Sequence, residues 1–200
     1  MPLENYRKKR KFADTTEPRG DESPARRPGI FVVQKHDASH LHYDFRLEID
    51  GVLVSWAVPR GPSLNPSEKR FATMTEDHPI EYADFEGPIP EGHYGAGTVM
   101  VWDRGTYETE DEASPRAQLA KGKLKIELHG KKLRGSFVLI LTGLGAGRPG
   151  EKSRWLLMKR KDQWADARWN ADAPAVARSA ISGRTLEEIQ RGRTKRKRVA

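Results

Sequence analysis

The sequence predicts an all-β protein, a compact antiparallel β-barrel of about eight strands. Three observations support this fold class. Short runs rich in β-branched and aromatic residues recur between positions 30 and 161, separated by clusters of Gly, Pro and Asp. This stretch shows no convincing amphipathic helical spacing. Asp50-Gly51 separates two runs of alternating polarity, which is the strongest short-range signal of a hairpin with a type I′ turn.

The predicted strands follow one another along the chain. The first begins with four β-forming residues at Ile30, and the second alternates strictly between polar and apolar residues. The eight predicted strands cover residues 30–33, 42–49, 52–58, 71–75, 98–103, 123–129, 136–141 and 155–161. Residues 76–97, between the fourth and fifth strands, are rich in Pro, Gly, acidic and aromatic residues. We interpret them as a functional loop, because long connections inside compact domains usually carry function or are disordered.

The net charge of +8 on 200 residues is located at the two ends of the chain. Residues 1–28 contain eight Lys and Arg against five Asp and Glu, and residues 169–200 contain eight against three, whereas residues 29–168 contain twenty of each. The first segment is predicted to be a disordered arm, because its few apolar side chains cannot offset the entropy of ordering. The last is predicted to be a basic tail with a short helix over residues 182–190, leaving residues 29–168 as one barrel domain.

The composition also excludes several classes of protein. Cysteine is absent, which excludes disulfides, thiolate catalysis and metal sites built on cysteine. No apolar run approaches the roughly 18 residues of a membrane span, and the first eleven residues lack the apolar region of a secretory signal. We therefore expect a cytoplasmic, nucleoid-associated monomer without membrane contact. The basic ends favour a nucleic-acid partner, although such tails can also serve solubility alone.

A group of metal-binding residue types lies in the first two predicted strands. Alternate residues of a strand share a face, so His42, Asp44 and Arg46 line one face, opposite an apolar face. His36 follows the preceding strand and is separated from this one by a short Asp-Ala-Ser loop, so it could supply a third ligand. Two imidazoles and a carboxylate suit divalent first-row ions such as manganese, iron or zinc. The alternative is that this polar face is only the solvated side of an antiparallel sheet.

His78 stands apart from the other histidines. It precedes Pro79, which favours an extended backbone, and it lies in the loop of residues 76–97. An imidazole near a metal-bound phosphate can act as a general acid or donate a hydrogen bond to developing charge. Arginine forks bind phosphate oxygens, and Arg46, Arg60 and Arg70 lie in or beside predicted strands. The remaining histidines are predicted to be structural, surface or second-layer residues: His40, His93 and His129.

Several blocks of the sequence resemble a known family in the right order. They comprise residues 31–48, which include His36-Asp-Ala-Ser-His-Leu-His-Tyr-Asp-Phe-Arg46, and also residues 55–59, 76–79, 82–87 and 89–98. These blocks are similar to the signature of the 3′-phosphoesterase domain of bacterial DNA ligase D. The resemblance covers about residues 29–168.

The resemblance implies a β-barrel that uses manganese to trim 3′ ends of DNA during non-homologous end joining. Such a domain removes a terminal ribonucleoside, as a phosphodiesterase, and then the remaining 3′-phosphate, as a phosphomonoesterase, leaving a 3′-hydroxyl. Co²⁺ or Zn²⁺ could replace Mn²⁺. The implied substrate is a DNA or RNA-tipped DNA 3′ end, and the implied partners are Ku and an ATP-dependent DNA ligase or polymerase acting in trans. The chain would be a stand-alone version or an excised domain.

The same resemblance implies roles for individual residues. The metal ligands would be His36, His42 and Asp44, while Arg46 and His78 would hold and activate the phosphate. The supporting or additional catalytic residues would be Gln34, Arg60, Arg70, Glu76 and Tyr82. Arg60 departs from the lysine common at this position in the family, and the geometry of the two cations differs.

Two other classes of function remain open from the residues alone. The chain could be a non-catalytic end-binding module of a repair complex, which a metal-activated assay distinguishes. It could also be a cupin-like oxygenase, because barrels with two histidines and a carboxylate also hold iron. The surrounding arginines and the basic ends favour a polyanionic substrate over the second class.

Overall fold

The computed structural model describes residues 3–20, 29–143 and 152–192. The described residues contain nine β-strands, three short α-helices and two 3-10 helices. The strands are β1 Ile30–Asp37, β2 Leu41–Ile49, β3 Val52–Val58, β4 Arg70–Met74, β5 Gly87–Ile89, β6 Gly97–Thr109, β7 Lys123–Gly130, β8 Arg134–Gly143 and β9 Arg154–Lys159. The helices are α1 Glu4–Lys8, α2 Pro115–Ala120 and α3 Leu186–Gly192, with 3-10 turns at Ile80–Asp84 and Pro174–Val176.

Eight of these strands close into an antiparallel barrel. The order around it is β1, β2, β3, β4, β9, β8, β7 and β6, and β6 pairs back onto β1. The ninth strand, β5, pairs with the first residues of β6 outside the closed ring. The predicted all-β barrel of about eight strands is confirmed. Every predicted strand corresponds to a strand of the barrel, and β5 lies within the segment predicted as a loop.

The β2–β3 hairpin has the turn that its sequence predicts. Ile49 pairs with Val52, so the loop consists of Asp50 and Gly51. Both residues have positive φ, 56° and 83°, as a type I′ turn requires. This turn matches the twist of the two strands and thereby fixes which residues of β2 face inward.

The barrel interior is filled by the inward-facing side chain of every second residue. On β2 these are Tyr43, Phe45, Leu47 and Ile49, each at most 2% exposed. Tyr43 meets Trp102 of β6 edge to face, with ring centroids 5.3 Å apart. Burying a large apolar side chain stabilises a fold by roughly 1.5–3 kcal/mol, so this interior is the main source of stability.

A second apolar cluster lies on the outer wall of the barrel. Outward-facing residues of β1, β3 and β6 pack against the 3-10 turn Ile80–Asp84 and against Tyr6 of α1. The cluster consists of Tyr6, Val32, Leu53, Ile80, Tyr82, Ala83, Phe85, Ile89, Val99 and Val101. The outer face of β1–β3 is therefore covered at one end by two segments that are distant in sequence.

The N-terminal segment differs from the prediction of a disordered arm over residues 1–28. Residues 3–20 lie against the barrel, with Tyr6 fully buried and its hydroxyl donating to the Pro18 carbonyl at 2.6 Å. One buried aromatic ring and a paired set of charges order this segment, whereas its average composition suggests disorder. Residues 1–2 and 21–28 of the predicted arm lie outside the described residues.

The C-terminal segment also packs more closely than a tail. Ala171 and Ile189 belong to the core cluster, and Trp169 Nε1 donates to the Pro62 carbonyl at 3.2 Å. The helix expected over residues 182–190 corresponds to α3, which begins four residues later, and α2 is a short helix that the strand pattern did not predict. Residues 193–200 of the tail lie outside the described residues. None of the described helices is both long and apolar enough to cross a membrane.

Candidate active site

The polar residues of the first hairpins lie side by side on the outer wall of the barrel. In the register of β1 and β2, His36 pairs with His42 and Gln34 with Asp44. Arg46 pairs with Ser55 of β3. Directly paired residues point to the same face of a sheet, so these side chains form one contiguous polar area. It lies on the opposite side of β2 from the barrel core.

Three of these side chains form a set of metal donors. The Asp44 Oδ2 atom lies 3.8 Å from His36 Nδ1 and 3.8 Å from His42 Nε2. One donor atom from each residue lies within 4.8 Å of the others. His42 Nδ1 is 2.9 Å from the His40 carbonyl, so a proton on Nδ1 leaves the Nε2 lone pair available for a metal. The backbone of His40 thus supports the donor set, while its imidazole does not enter it.

Two further observations fit a bound cation. The buried Nε2 atom of His36 has no hydrogen-bond partner among the described residues, which is costly unless a ligand satisfies it. Burial would raise the pKa of Asp44, but the charge of Arg46 and the contacts with His36 and His42 outweigh it and hold that pKa well below its usual range. Asp44 is therefore ionised at neutral pH. Two imidazoles and one carboxylate suit a divalent first-row ion.

Arg46 is held in a fixed orientation beside this donor set. It is 3% exposed, and its guanidinium donates to Gln34 Oε1 at 2.8 Å, to Ser55 Oγ at 2.8 Å and to Asp44 Oδ2 at 3.1 Å. Its Nη1 also lies 2.9 Å from Nδ1 of His78. Because several partners hold the guanidinium, this group needs little reorganisation before its charge can act on a ligand.

His78 is brought to the site by a short backbone pairing. Its N–H donates to the Leu53 carbonyl at 3.0 Å, and the N–H of Leu53 donates back at 2.8 Å. The ring is buried between two guanidinium groups, with Nε2 3.3 Å from Arg10 Nη2. Burial and the charges of Arg46 and Arg10 lower the pKa of His78 well below its ordinary value. The imidazole is therefore neutral at physiological pH.

Gln34 and Tyr82 join the outer wall to the segment that covers it. The Gln34 amide donates to the carbonyls of Tyr82 and Phe85 at 2.9 and 3.0 Å, while its oxygen accepts from Arg46. The Tyr82 ring lies 4.8 Å from that of His78, measured between centroids. Its hydroxyl donates to Glu17 at 3.2 Å. Gln34 therefore holds both Arg46 and the segment that contains Tyr82 and Phe85 in position.

The N-terminal segment supplies a pocket residue, Arg10, that the sequence did not predict. Arg10 pairs with the buried Glu17 at 2.8 Å and stacks on Tyr6, with its Cζ 3.8 Å from the ring centroid. Its fork also reaches His78 and, at 3.5 Å, Glu76. No periodic pattern marks these residues, because they come from irregular chain. The one signal was the pair of aromatic residues, Tyr6 and Phe12, in an otherwise polar arm.

Glu76 lies at the entrance to the site. Its carboxylate pairs with Lys9 at 3.1 Å and accepts from the Tyr94 hydroxyl at 3.3 Å. Burial opposes ionisation, but hydrogen bonds from its own backbone and from Lys9, together with the charge of Arg10, lower the pKa of Glu76. The carboxylate therefore serves to hold cations and the Tyr94 ring in place.

These residues enclose a pocket of about 280 Å³. Seven of the ten predicted site residues line it: His36, His42, Asp44, Arg46, Glu76, His78 and Tyr82. Gln34 lies behind Arg46. Arg60 and Arg70 lie elsewhere, where Arg70 donates to the Arg60 carbonyl at 3.2 Å and pairs with Glu68. Arg70 shares its strand face with buried Ala72, which points into the barrel, so these two arginines do not join the pocket.

The sequence matches a family model over residues 34–141, and that model is described as the DNA ligase D 3′-phosphoesterase domain. The match covers more than half of the chain. The chain belongs to the DNA ligase D 3′-phosphoesterase domain family. All of the pocket residues predicted from sequence fall inside the matched region, whereas Arg10 and Glu17 precede it.

Longer proteins contain regions similar to this 3′-phosphoesterase domain. The chain is 54% identical over 163 residues to the multifunctional non-homologous end joining protein LigD of Pseudomonas aeruginosa, covering 80% of this chain and 19% of that protein. It is 45% identical to the multifunctional non-homologous end joining DNA repair protein LigD of Mycobacterium tuberculosis, covering 80% and 20%. For LigD of Mycolicibacterium smegmatis the identity is 43%, covering 88% and 22%. The chain spans about a fifth of the length of these relatives.

Proposed function

We propose that this protein is a metal-dependent phosphoesterase that processes the 3′ ends of DNA. It removes a terminal ribonucleoside as a phosphodiesterase and a 3′-phosphate as a phosphomonoesterase, leaving a 3′-hydroxyl for end joining. The observation that carries this proposal is one pocket of about 280 Å³ in which a His36, His42 and Asp44 donor set lies beside the fixed charge of Arg46. Family membership and the end-joining relatives support DNA ends as the substrate.

The metal would be held by His36, His42 and Asp44. Manganese is the proposed ion, and Co²⁺ or Zn²⁺ suits the same donors. When bound, the ion supplies positive charge that polarises the ester phosphate. The second-layer hydrogen bond from His42 to the His40 carbonyl orients its ring for this purpose.

Arg46 neutralises charge on the phosphate as it develops in the transition state. Gln34, Ser55 and Asp44 hold its guanidinium in place before the substrate arrives. Removing one preorganised donor of this kind from an active site lowers the rate about a hundredfold to a thousandfold. Arg10, from the N-terminal segment, adds a second fixed cation on the other side of His78.

His78 acts on the phosphate, and it is not one of the proposed metal ligands, which are His36, His42 and Asp44. Its pKa is lowered by burial and by two guanidinium groups, so it is neutral in the free protein. A phosphate dianion in the pocket opposes those two positive charges and raises the affinity of the imidazole for a proton. His78 can then donate a hydrogen bond or a proton to the departing oxygen.

The expected partners follow from the same proposal. A trimmed 3′-hydroxyl is the substrate for a polymerase or an ATP-dependent DNA ligase, with Ku at the DNA end. The supporting roles of Glu76 and Tyr82 are proposed from their places in the pocket. Roles for Arg60 and Arg70 would require substrate that extends beyond the pocket.

An end-labelled primer assay tests the proposal. The protein is incubated with Mn²⁺ and duplexes whose primer strand ends in either a 3′-phosphate or a 3′-ribonucleotide. We expect both ends to be converted to a 3′-hydroxyl, and no conversion after chelation with EDTA. His42→Ala should abolish the activity, while Glu48→Gln, on the same strand face but remote from the donor set, serves as the matched control. Binding of the duplexes without any conversion would contradict the proposal and favour an end-binding module.

A further inference from the structure

Tyr94 is an exposed aromatic residue at the rim of the candidate active site. It lines the same pocket as the metal donors and keeps 43% of its surface exposed. An exposed aromatic ring at the rim of a pocket is available to stack on a ligand that enters the pocket. The pocket, at about 280 Å³, lies just below the usual range for small-molecule sites and opens at the rim where Tyr94 lies, so a phosphate held beside the metal donors leaves its base near this ring.

A tight backbone turn places Tyr94 beside the pocket. Gly92 and Gly95 have φ of +80° and +77°, and the Ala96 N–H donates to the His93 carbonyl at 3.1 Å, which closes a tight turn. A methyl group on Gly95 would lie 4.0 Å from Cε1 of His36. The turn that carries Tyr94 therefore lies directly against one of the metal donors.

The hydroxyl end of the Tyr94 ring is also tethered. It donates to Glu76 Oε2 at 3.3 Å and accepts from Lys9 Nζ at 3.2 Å. The Lys9 ammonium lies 4.6 Å from the ring centroid, and Cζ of Arg10 lies 5.5 Å from it. Aromatic rings beside cationic side chains are a combination with which proteins bind single-stranded nucleic acid, by base stacking and attraction to the phosphates.

We propose that Tyr94 stacks on the base of the nucleotide whose 3′-phosphate enters the pocket. This inference rests on the proposed function and deepens it, because it makes the preferred substrate a phosphate ester on a base-bearing nucleotide. Stacking on one aromatic side chain is sequence-tolerant, since every base has a π face. Tyr94 would therefore select for the presence of a base and accept any of the four.

The test compares two primer ends that differ only in the terminal base. One strand ends in a normal nucleotide 3′-phosphate, and the other ends in an abasic tetrahydrofuran 3′-phosphate. For the wild-type protein with Mn²⁺ we expect kcat/KM about tenfold or more higher on the base-bearing end. Tyr94→Ala should lower the value on the base-bearing end to that on the abasic end, and leave the abasic end nearly unaffected.

Two further variants separate stacking from structure. Tyr94→Phe keeps the ring and loses the hydroxyl, so it should preserve the ratio between the two ends. Trp164→Ala removes an aromatic residue of similar exposure, 39%, that also lies beside a cation, with Arg134 Cζ 5.1 Å from its ring. Trp164 does not line the pocket, so this control should preserve both the ratio and the absolute rates.

The outcomes distinguish this inference from the proposed function. Equal rates on both ends in the wild type, or an equal loss on both ends in Tyr94→Ala, would overturn the stacking role. If the wild type converts neither end, the proposed function fails. Fluorescence anisotropy of the same two strands then tests the stacking directly. Affinity for the base-bearing strand must fall in Tyr94→Ala while affinity for the abasic strand stays the same, or the inference is wrong.

Discussion

The inner and outer faces of β2 are buried to a similar degree by different means. On the inner face, Phe45 and Leu47 are fully buried by contacts with other barrel strands. On the outer face, Asp44 and Arg46 are 7% and 3% exposed, although both carry charge. Apolar burial is non-directional and tolerates rearrangement, whereas buried charges must be paired with defined geometry. One strand thus presents a packed core on one side and a chemical site on the other.

The difference shows where stability and function reside in this protein. The inner face needs only the alternation of β2 and closure of the barrel. The outer face needs two additional segments, residues 3–20 and the 3-10 turn Ile80–Asp84, because neither Arg46 nor His78 would otherwise be shielded from water. We therefore expect changes on the inner face to act on folding and changes on the outer face to act on chemistry.

The largest expected effect is on the inner face. Phe45→Ala removes a fully buried ring and should lower the free energy of unfolding by about 3–5 kcal/mol. Chemical denaturation with urea measures this. Should that variant fail to fold, Phe45→Leu should still show a loss below about 1.5 kcal/mol. An unchanged transition midpoint in Phe45→Ala would refute the assignment of this face to the core.

The next largest effect should come from Asp44, which is adjacent to Phe45 in sequence but lies on the outer face. Asp44→Asn keeps the side-chain volume but removes the charge among the proposed metal donors. We expect manganese-dependent turnover to fall by more than about a hundredfold, since even indirect supports of metal ligands cost about 10–100-fold. The loss of unfolding free energy should be smaller than that for Phe45→Ala. Calorimetric titration with Mn²⁺ and urea denaturation check the two expectations, and full Mn²⁺ affinity would contradict the first.

The pH dependence of stability provides a sharper test of the covered outer face. Burial and the charges of Arg46 and Arg10 lower the pKa of His78 below the value of about 6.5 in the unfolded chain. The unfolded state then binds more protons below that pH, so stability from this group is present above about pH 6.5 and is lost as the pH falls. The slope can reach about 1.4 kcal/mol per pH unit between pH 6.5 and 5.

The matched variants for this measurement are His78→Gln and His129→Gln. The first should flatten the fall in unfolding free energy between pH 7 and 5. The second should leave it in place, because the His129 side chain is about half exposed. Asp44, whose pKa is lowered, contributes stability that is lost only at pH values below about 4, so it does not interfere with this window. Identical slopes in the wild type and His78→Gln would show that His78 is not buried in its neutral form.

The effect on turnover should be smallest at Glu48, and this variant tests how far the site extends along the outer face. Glu48 shares the face of Asp44 and Arg46 but accepts hydrogen bonds from the backbone of Gly29 and Gly51, at 3.1 and 2.9 Å. Glu48→Gln keeps only one of these two acceptor oxygens, so it should lower the free energy of unfolding by about 1–3 kcal/mol. Turnover with manganese should equal that of the wild type. A large loss of turnover would extend the functional area to the whole face.

Local sequence patterns predict the barrel and part of the site. Strict alternation in β2 set its inner and outer faces, and the Asp50-Gly51 turn set the register that aligns Arg46 with Ser55. The spacing of His42 and Asp44 placed both on one face, because side chains alternate along any strand. These properties are local, so they can be predicted without knowledge of what covers the strand.

The remaining residues of the site are placed by contacts between segments that are distant in sequence. Arg10 and Tyr94, which line the pocket, and Glu17, which pairs with Arg10, come from irregular segments, whose side-chain directions no period specifies. Arg60 and Arg70 have the right chemistry but do not line the pocket: Arg60 is exposed after β3, and the strand face of Arg70 turns into the barrel. The order of residues 3–20 depends on the burial of Tyr6 against the outer wall, a contact between positions too distant in sequence for composition to predict.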